Sequence, residues 1–202
     1  MDHDGHLGAV YGAKSPADVA ALYDAWATSY DAEMAAAGYR HPAIGLALLA
    51  RHARPGPVLD AGCGTGLLGD WLGIMGYGPV TGFDLSEGML ARAHAKGAYA
   101  ALVQAALGAP LPFEDGTFAA TICTGVFTTG HVGAEGLPEL VRVIRPGGAL
   151  VLTVKTTLWD AGFGDAVRAT PGLRLAEVTA PYVSMPGEIA TVPSLAFAAI
   201  RL

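Results

Sequence analysis

VLDAGCGTGLLGDWL (residues 58–72) holds a short apolar run that ends in an acid, Asp60. Three glycines follow at alternate positions, Gly62, Gly64 and Gly66, and then apolar residues recur at helical spacing. The pattern is a buried strand that turns into a helix through a glycine loop, a construction that usually holds a nucleotide. The dinucleotide fingerprint G-x-G-x-x-G puts its third glycine where this chain has Leu67. Asp60 would also repel a pyrophosphate, whereas it suits a ligand that carries positive charge.

A second acid sits in VTGFDLSEGML. Asp84 ends an apolar run and precedes a helix for which Ser86 is the cap. Its interval from the glycine loop matches the ~20 residues that separate loop and ribose-binding acid in nucleotide-binding folds. A carboxylate in that place accepts hydrogen bonds from the two vicinal ribose hydroxyls.

The chain beyond these two motifs repeats the strand–helix alternation. AALVQAAL reads as a third, weaker strand and TFAATICTGV as a fourth. A helix around EGLPELVRVI and a fifth strand in GGALVLTVK follow. LRLAEVT is poorly patterned, and SLAFAAIRL is a terminal strand. This order predicts a mainly parallel sheet with helices on both faces. The last two strands leave little room for a crossover and predict an antiparallel hairpin at one edge. Ahead of this body, SPADVAALYDAWATSYDAEMAAAG reads as one helix, capped by Ser15 with Pro16 at its first position and stopped at Gly38. HPAIGLALLARH is a second helix, ended by Pro55, Gly56 and Pro57. Residues 1–55 are expected to form a helical lid on a core that spans 56–202.

Composition narrows the function. Apolar residues make up 52% of the 202 positions and mean hydropathy is +0.40. Gly and Pro interrupt the apolar runs, none of which approaches the ~20 residues of a membrane span. The amino terminus lacks the pattern of a secretory signal, so a soluble, cytoplasmic protein is expected. A net charge of −6, with no basic stripe, argues against nucleic acid as a partner. Cys63 and Cys123 are too few for a disulfide framework or a zinc site. His3 and His6 read as part of a mobile terminus and not as metal ligands, so no metal is expected.

VLDAGCGTG, VTGFDLSEGML, PLPFEDGTFAATIC and LVRVIRPGGALVLTV, in that order, resemble the class I S-adenosylmethionine-dependent methyltransferases. VYGAKSPADVAALYDAWATSYDAEM before the core and GVFTTGHV after the fourth strand are similar to the methyltransferase-like proteins named for the Williams–Beuren chromosome region. The resemblance implies an α/β, Rossmann-like fold with seven mostly parallel strands, and S-adenosylmethionine as cofactor. It implies that the loop of Ala61, Gly62, Gly64 and Gly66 approaches the methionine moiety, and that Asp60 holds its ammonium directly or through water. Asp84 would take the ribose, with Leu85 and Met89 on the adenine. Tyr30 would close over the methionine end, and Thr124 would line the site from the fourth strand.

One position departs from the family pattern. After the third strand, members commonly carry an Asp or Asn for the adenine amino group, and here Ala106 stands there. The backbone N–H of Leu107 can still serve the ring, and Gln104 is a possible substitute. Loss of one such bond weakens affinity by about 0.5–1.5 kcal/mol without abolishing it. His131, on the loop after the fourth strand, is the candidate general base, a role that stands evenly against that of a loop histidine hydrogen-bonded to backbone. Trp159 and Tyr182 are candidates for an acceptor pocket, though each is equally explained by packing.

The expected reaction is in-line transfer of a methyl group to a small organic acceptor. A non-catalytic protein that binds S-adenosylmethionine or S-adenosylhomocysteine to regulate a partner is the alternative. A nicotinamide oxidoreductase is disfavoured by the glycine spacing. Nothing in the sequence indicates an oligomeric state.

Overall fold

The computed structural model describes residues 15–128, 132–187 and 191–202, together with positions 6, 8, 9 and 13. From residue 16 onward the chain opens with the helices α1 (Pro16–Trp26), α2 (Tyr30–Ala37) and α3 (His41–His52). The alternating body then runs β1 (Val58–Ala61), α4 (Gly69–Ile74), β2 (Val80–Asp84), α5 (Glu87–Lys96), β3 (Ala101–Gln104) and β4 (Phe118–Phe127). It continues with α6 (Leu137–Val143), β5 (Ile144–Lys155), α7 (Gly164–Ala169), β6 (Leu173–Val178) and β7 (Ser194–Arg201).

The seven strands form one sheet in the order β3-β2-β1-β4-β5-β7-β6. β1 to β5 pair in parallel, and β7 runs antiparallel to both β5 and β6. The late strands are therefore an antiparallel pair, as expected, with β7 inserted beside β5 and β6 pushed to the edge. Alternation along the strands feeds two cores. Leu59, Ala61, Leu150 and Leu152 point to a face covered by α6 and the segment around Phe163 and Val167. Val58, Ile122 and Val151 point to the other, covered by α3 and α4 through Leu48, Leu49 and Leu72. β1 is buried at all four positions, so its residues are apolar except for Asp60.

Several elements depart from the sequence reading. The first expected helix is two, broken at residues 27–29. Thr28 and Ser29 are weak helix formers, and the Thr28 carbonyl accepts from Arg92 Nη2 at 3.2 Å instead of from a helical N–H. Trp26 and Tyr30 flank the break and meet edge to face, with ring centroids 4.9 Å apart. α4 starts at Gly69 and not at the glycine loop, because the left-handed Gly66 turns back to donate to the Cys63 carbonyl. The stretch after β5 is helical in two short turns, Thr156–Leu158 and Trp159–Phe163, that kink at Gly162 into α7. His6 is no loose terminus, for it stacks on Trp26 with centroids 5.3 Å apart. His3 lies outside the described residues. No helix among the described residues is long and apolar enough to cross a membrane.

Candidate functional site

Strand order reverses between β1 and β4, and the sheet opens a cleft of about 280 Å³ at the carboxyl ends there. The cleft gathers residues from four strand ends. Gly62 and Gly64 follow β1; Asp84 ends β2, and Leu85 and Met89 follow it; Ala106 and Leu107 follow β3; Thr124 belongs to β4. Tyr30 of α2 and Val19 and Tyr23 of α1 line it from the helical preface. Nine of the residues singled out in the sequence thus meet in one cavity.

The three glycines do different work. Gly62 has φ +69, and a Cβ there would lie 2.5 Å from Val126 Cγ2 of β4. Gly64 has φ +54 and meets nothing within 4 Å, so its backbone is presented bare to open space. Gly66 faces away from the cleft, and a Cβ there would lie 3.2 Å from the Ala93 backbone and 2.9 Å from the Tyr99 ring. It allows loop and helix to pack and is not a lining residue. Ala61 is likewise fully buried in the core.

Asp84 has one carboxylate oxygen on the Gly64 N–H at 2.8 Å and the other on the Ser86 N–H at 2.9 Å. Burial pushes its pKa up, while these N–H donors oppose the rise. The side chain that holds the glycine loop in place is thus the one that faces the cleft. Asp24 of α1 supports this end, accepting from Ser86 Oγ at 2.5 Å and from the Gly88 N–H at 2.8 Å.

Asp60 does not line the main cleft. It is 1% exposed and borders a small adjoining chamber of about 30 Å³, shared with Tyr30, Gly62, Gly64 and Thr65. The Tyr99 hydroxyl donates to Asp60 Oδ2 at 2.7 Å. Burial lifts the Asp60 pKa to about 7; the Tyr99 bond pulls it down and the charge of Asp84 adds to the rise. Asp60 therefore changes charge near neutrality, and a cation in the chamber would hold it ionised.

The remaining candidates fall elsewhere. Gln104 turns outward and donates to the Leu85 carbonyl at 3.1 Å, so it does not replace the missing acid. Trp159 packs on Phe197 in the core, with ring centroids 5.5 Å apart. The Tyr182 hydroxyl meets His41 Nδ1 at 2.6 Å and its ring stays out of the cleft. His131 lies outside the described residues. Sequence reasoning missed Tyr99 and Asp24. Tyr99 belongs to no motif and Asp24 lies in the quoted stretch ahead of the core without a role assigned to it, and each acquires its role only when a distant segment folds against it.

This arrangement fits one ligand class. A buried carboxylate, a half-buried one and a bare glycine backbone suit a nucleoside with a cationic end, and the apolar Leu85 and Met89 suit its base. A methyltransferase-domain model matches residues 58–148. Human methyltransferase-like protein 27 is 39% identical over 155 residues, which are 74% of this chain and 62% of that protein. The demethylmenaquinone methyltransferase of Beutenbergia cavernae is 38% identical over 148 residues, 71% of this chain and 60% of its own. The chain thus spans about 60% of the length of these two relatives. Among solved structures, a TehB-like S-adenosylmethionine-dependent methyltransferase from Corynebacterium glutamicum superposes with a TM-score of 0.62 at 23% identity. The match covers 90% of this chain and 99% of that one.

Proposed function

The chain belongs to the class I S-adenosylmethionine-dependent methyltransferases, and we propose that it transfers the cofactor's methyl group to a small organic acceptor. The observation that carries this reading is the Asp84 carboxylate, tied to the N–H groups of Gly64 and Ser86 while it opens onto the cleft. Asp84 accepts from the ribose hydroxyls, and Leu85 and Met89 cover the adenine. The Leu107 N–H serves the ring edge that Ala106 leaves without an acid. Asp60, held by Tyr99, attracts the methionine ammonium, and Tyr30 covers that end from the helical lid.

Bound in this way, S-adenosylmethionine supplies an electrophilic methyl group on a sulfonium. The protein's part is alignment: the fixed loop and the two carboxylates set the position of the reacting centre, and the aromatic lid excludes water. A small acceptor is supported by the net charge of −6, which lacks the cationic surface that phosphates require.

Calorimetry with S-adenosylmethionine, S-adenosylhomocysteine and NAD tests the cofactor reading, and an acceptor screen with methyl-labelled cofactor tests transfer. Both adenosyl ligands are expected to bind, and NAD is not. Tight NAD binding with none for S-adenosylmethionine overturns the reading. Binding of both adenosyl ligands with no transfer to any acceptor favours a regulatory, non-catalytic binder, a reading that the missing acid at Ala106 also supports.

A further inference from the structure

Beside the cofactor cleft lies a second chamber of about 40 Å³, and the two share Tyr23, Tyr30 and Gly125. The cofactor reading leaves this chamber unused. One wall is the aromatic cluster of Tyr23, Trp26 and Tyr30, with Tyr23 and Trp26 stacked at 6.0 Å and Trp26 edge-on to Tyr30 at 4.9 Å. At the seam, Gly125 has φ +80 and donates its N–H to Thr153 Oγ1 at 2.8 Å. A Cβ there would run into the Tyr39 hydroxyl.

The chamber also holds a buried cation. Lys155, the last residue of β5, is 7% exposed. Its Nζ donates to the Val192 carbonyl at 3.0 Å and to Ser184 Oγ at 3.4 Å. Among the described residues no carboxylate pairs with it. A buried ammonium with only neutral partners is costly, and an arriving anion relieves that cost. Burial accordingly draws the Lys155 pKa down. His41, on the same chamber, stays neutral: burial lowers its pKa to about 3, and the charge of Lys155 adds to the effect.

We propose that this chamber is the acceptor subsite, in which Lys155 receives the anionic oxygen of a small aromatic acceptor whose ring lies at the seam against Tyr23 and Tyr30. The assignment rests on the methyl-transfer reading above and adds the substrate class to it. The chamber as it stands takes the anionic head, and the seam with the cofactor cleft accommodates the rest. An aromatic wall alone would equally attract a cation, but the charge on Lys155 opposes one. A lysine that merely anchored residues 184 and 192 would not distinguish an anion from its neutral isostere.

The test uses the full chain with S-adenosylhomocysteine present and titrates benzoate, benzamide and benzylamine by ligand-observed NMR. Wild type is expected to bind benzoate roughly tenfold more tightly than benzamide, with benzylamine weakest. Lys155→Met keeps the length of the stem and removes the charge. It should abolish the benzoate preference and leave S-adenosylhomocysteine affinity within about twofold. Equal binding of benzoate and benzamide by wild type, or an undiminished preference in the variant, overturns the proposal. Should Lys155→Met fail to fold, the wild-type series decides alone. A wild type that binds no S-adenosylhomocysteine overturns the cofactor reading and the acceptor role with it. An intact S-adenosylhomocysteine isotherm without a benzoate preference overturns the acceptor subsite only.

Discussion

Tyr99→Phe removes one oxygen and keeps a ring that fills space no other side chain fills. A Cβ on Gly66, Gly69 or Gly82 would lie 2.9, 2.6 or 2.9 Å from that ring. The lost hydroxyl donates to Asp60 Oδ2 at 2.7 Å and favours the ionised carboxylate. A hydrogen bond to a charged group is worth roughly 1.5–3 kcal/mol, and about 1.4 kcal/mol is one pKa unit. Asp60, at about 7 in the native protein, should therefore rise by on the order of one to two pKa units. Only the ionised form attracts the cofactor's ammonium. Wild-type affinity for S-adenosylhomocysteine should fall about tenfold for each pH unit below the Asp60 pKa. At neutral pH, where wild-type Asp60 is about half ionised, the variant should bind roughly 5–50-fold more weakly than wild type. Calorimetry between about pH 5 and pH 10, repeated in buffers of different ionisation enthalpy, measures both the midpoint and the proton released on binding. A flat wild-type profile refutes the role of Asp60, and an unmoved midpoint in Tyr99→Phe refutes that of Tyr99.

The same group sets the opposite trend in the stability of the free protein. Asp60 lies at about 7 when folded against an ordinary 3.8. The folded state thus holds a proton that the unfolded chain has lost between these values. This contribution is fully present below about pH 4 and is lost as pH rises through about 7, up to a ceiling of roughly 4 kcal/mol. The free protein therefore loses stability over the range in which it gains affinity. S-adenosylhomocysteine should accordingly raise the melting temperature more at the alkaline end of that range than at the acid end.

Asp84→Ala removes two hydrogen bonds to a ribose and the tether of Gly64, so S-adenosylhomocysteine affinity should drop about a hundredfold or more; near-native calorimetric binding would show that Asp84 does not hold the ribose. Ala106→Asp restores the acid that the family usually carries and should tighten binding two- to twelvefold, for roughly 0.5–1.5 kcal/mol, which the same titration reads. Arg142 joins the carbonyls of Leu111 and Phe113 to Glu139 and Asp115. Arg142→Ala should cost roughly 2–4 kcal/mol in urea unfolding and leave cofactor affinity unchanged, since the residue is remote from the cleft lining.

The glycine loop, Asp60 and Asp84 were legible because each lies within one strand–helix unit, where local spacing dictates which atom faces the strand end. Ser15 and Ser86 were legible for the same reason. Their side chains accept from N–H groups three residues on, at 3.2 and 3.0 Å. The break at residues 27–29 was not, because Arg92 on α5 diverts the Thr28 carbonyl and no local rule contains Arg92. The helical stretch before β6 was hidden by composition: Gly162 and Gly164 suppress the helical pattern, and Trp159 and Phe163 supply the anchoring that propensity does not.

The cofactor site and the acceptor chamber differ in how sequence encodes them. Four successive strand ends build the cofactor site, and the parallel sheet brings consecutive strand ends to the same edge, so a motif on each is enough to reconstruct it. The acceptor chamber draws Tyr23, Trp26 and Tyr30 from the preface, His41 from α3, Gly125 from β4 and Lys155 from β5. No spacing rule links these segments. Lys155 taken alone is a lysine at a strand end, a place where the charge ordinarily reaches solvent. Here Ser184 Oγ and the Val192 carbonyl accept from the ammonium at the end of β5, which is buried beneath them. Burial with no carboxylate partner among the described residues is what separates this lysine from a solvated one, and that property exists only after the chain has closed over it. The family is thus written in local spacing, while the chemistry that selects an acceptor is written in tertiary contacts.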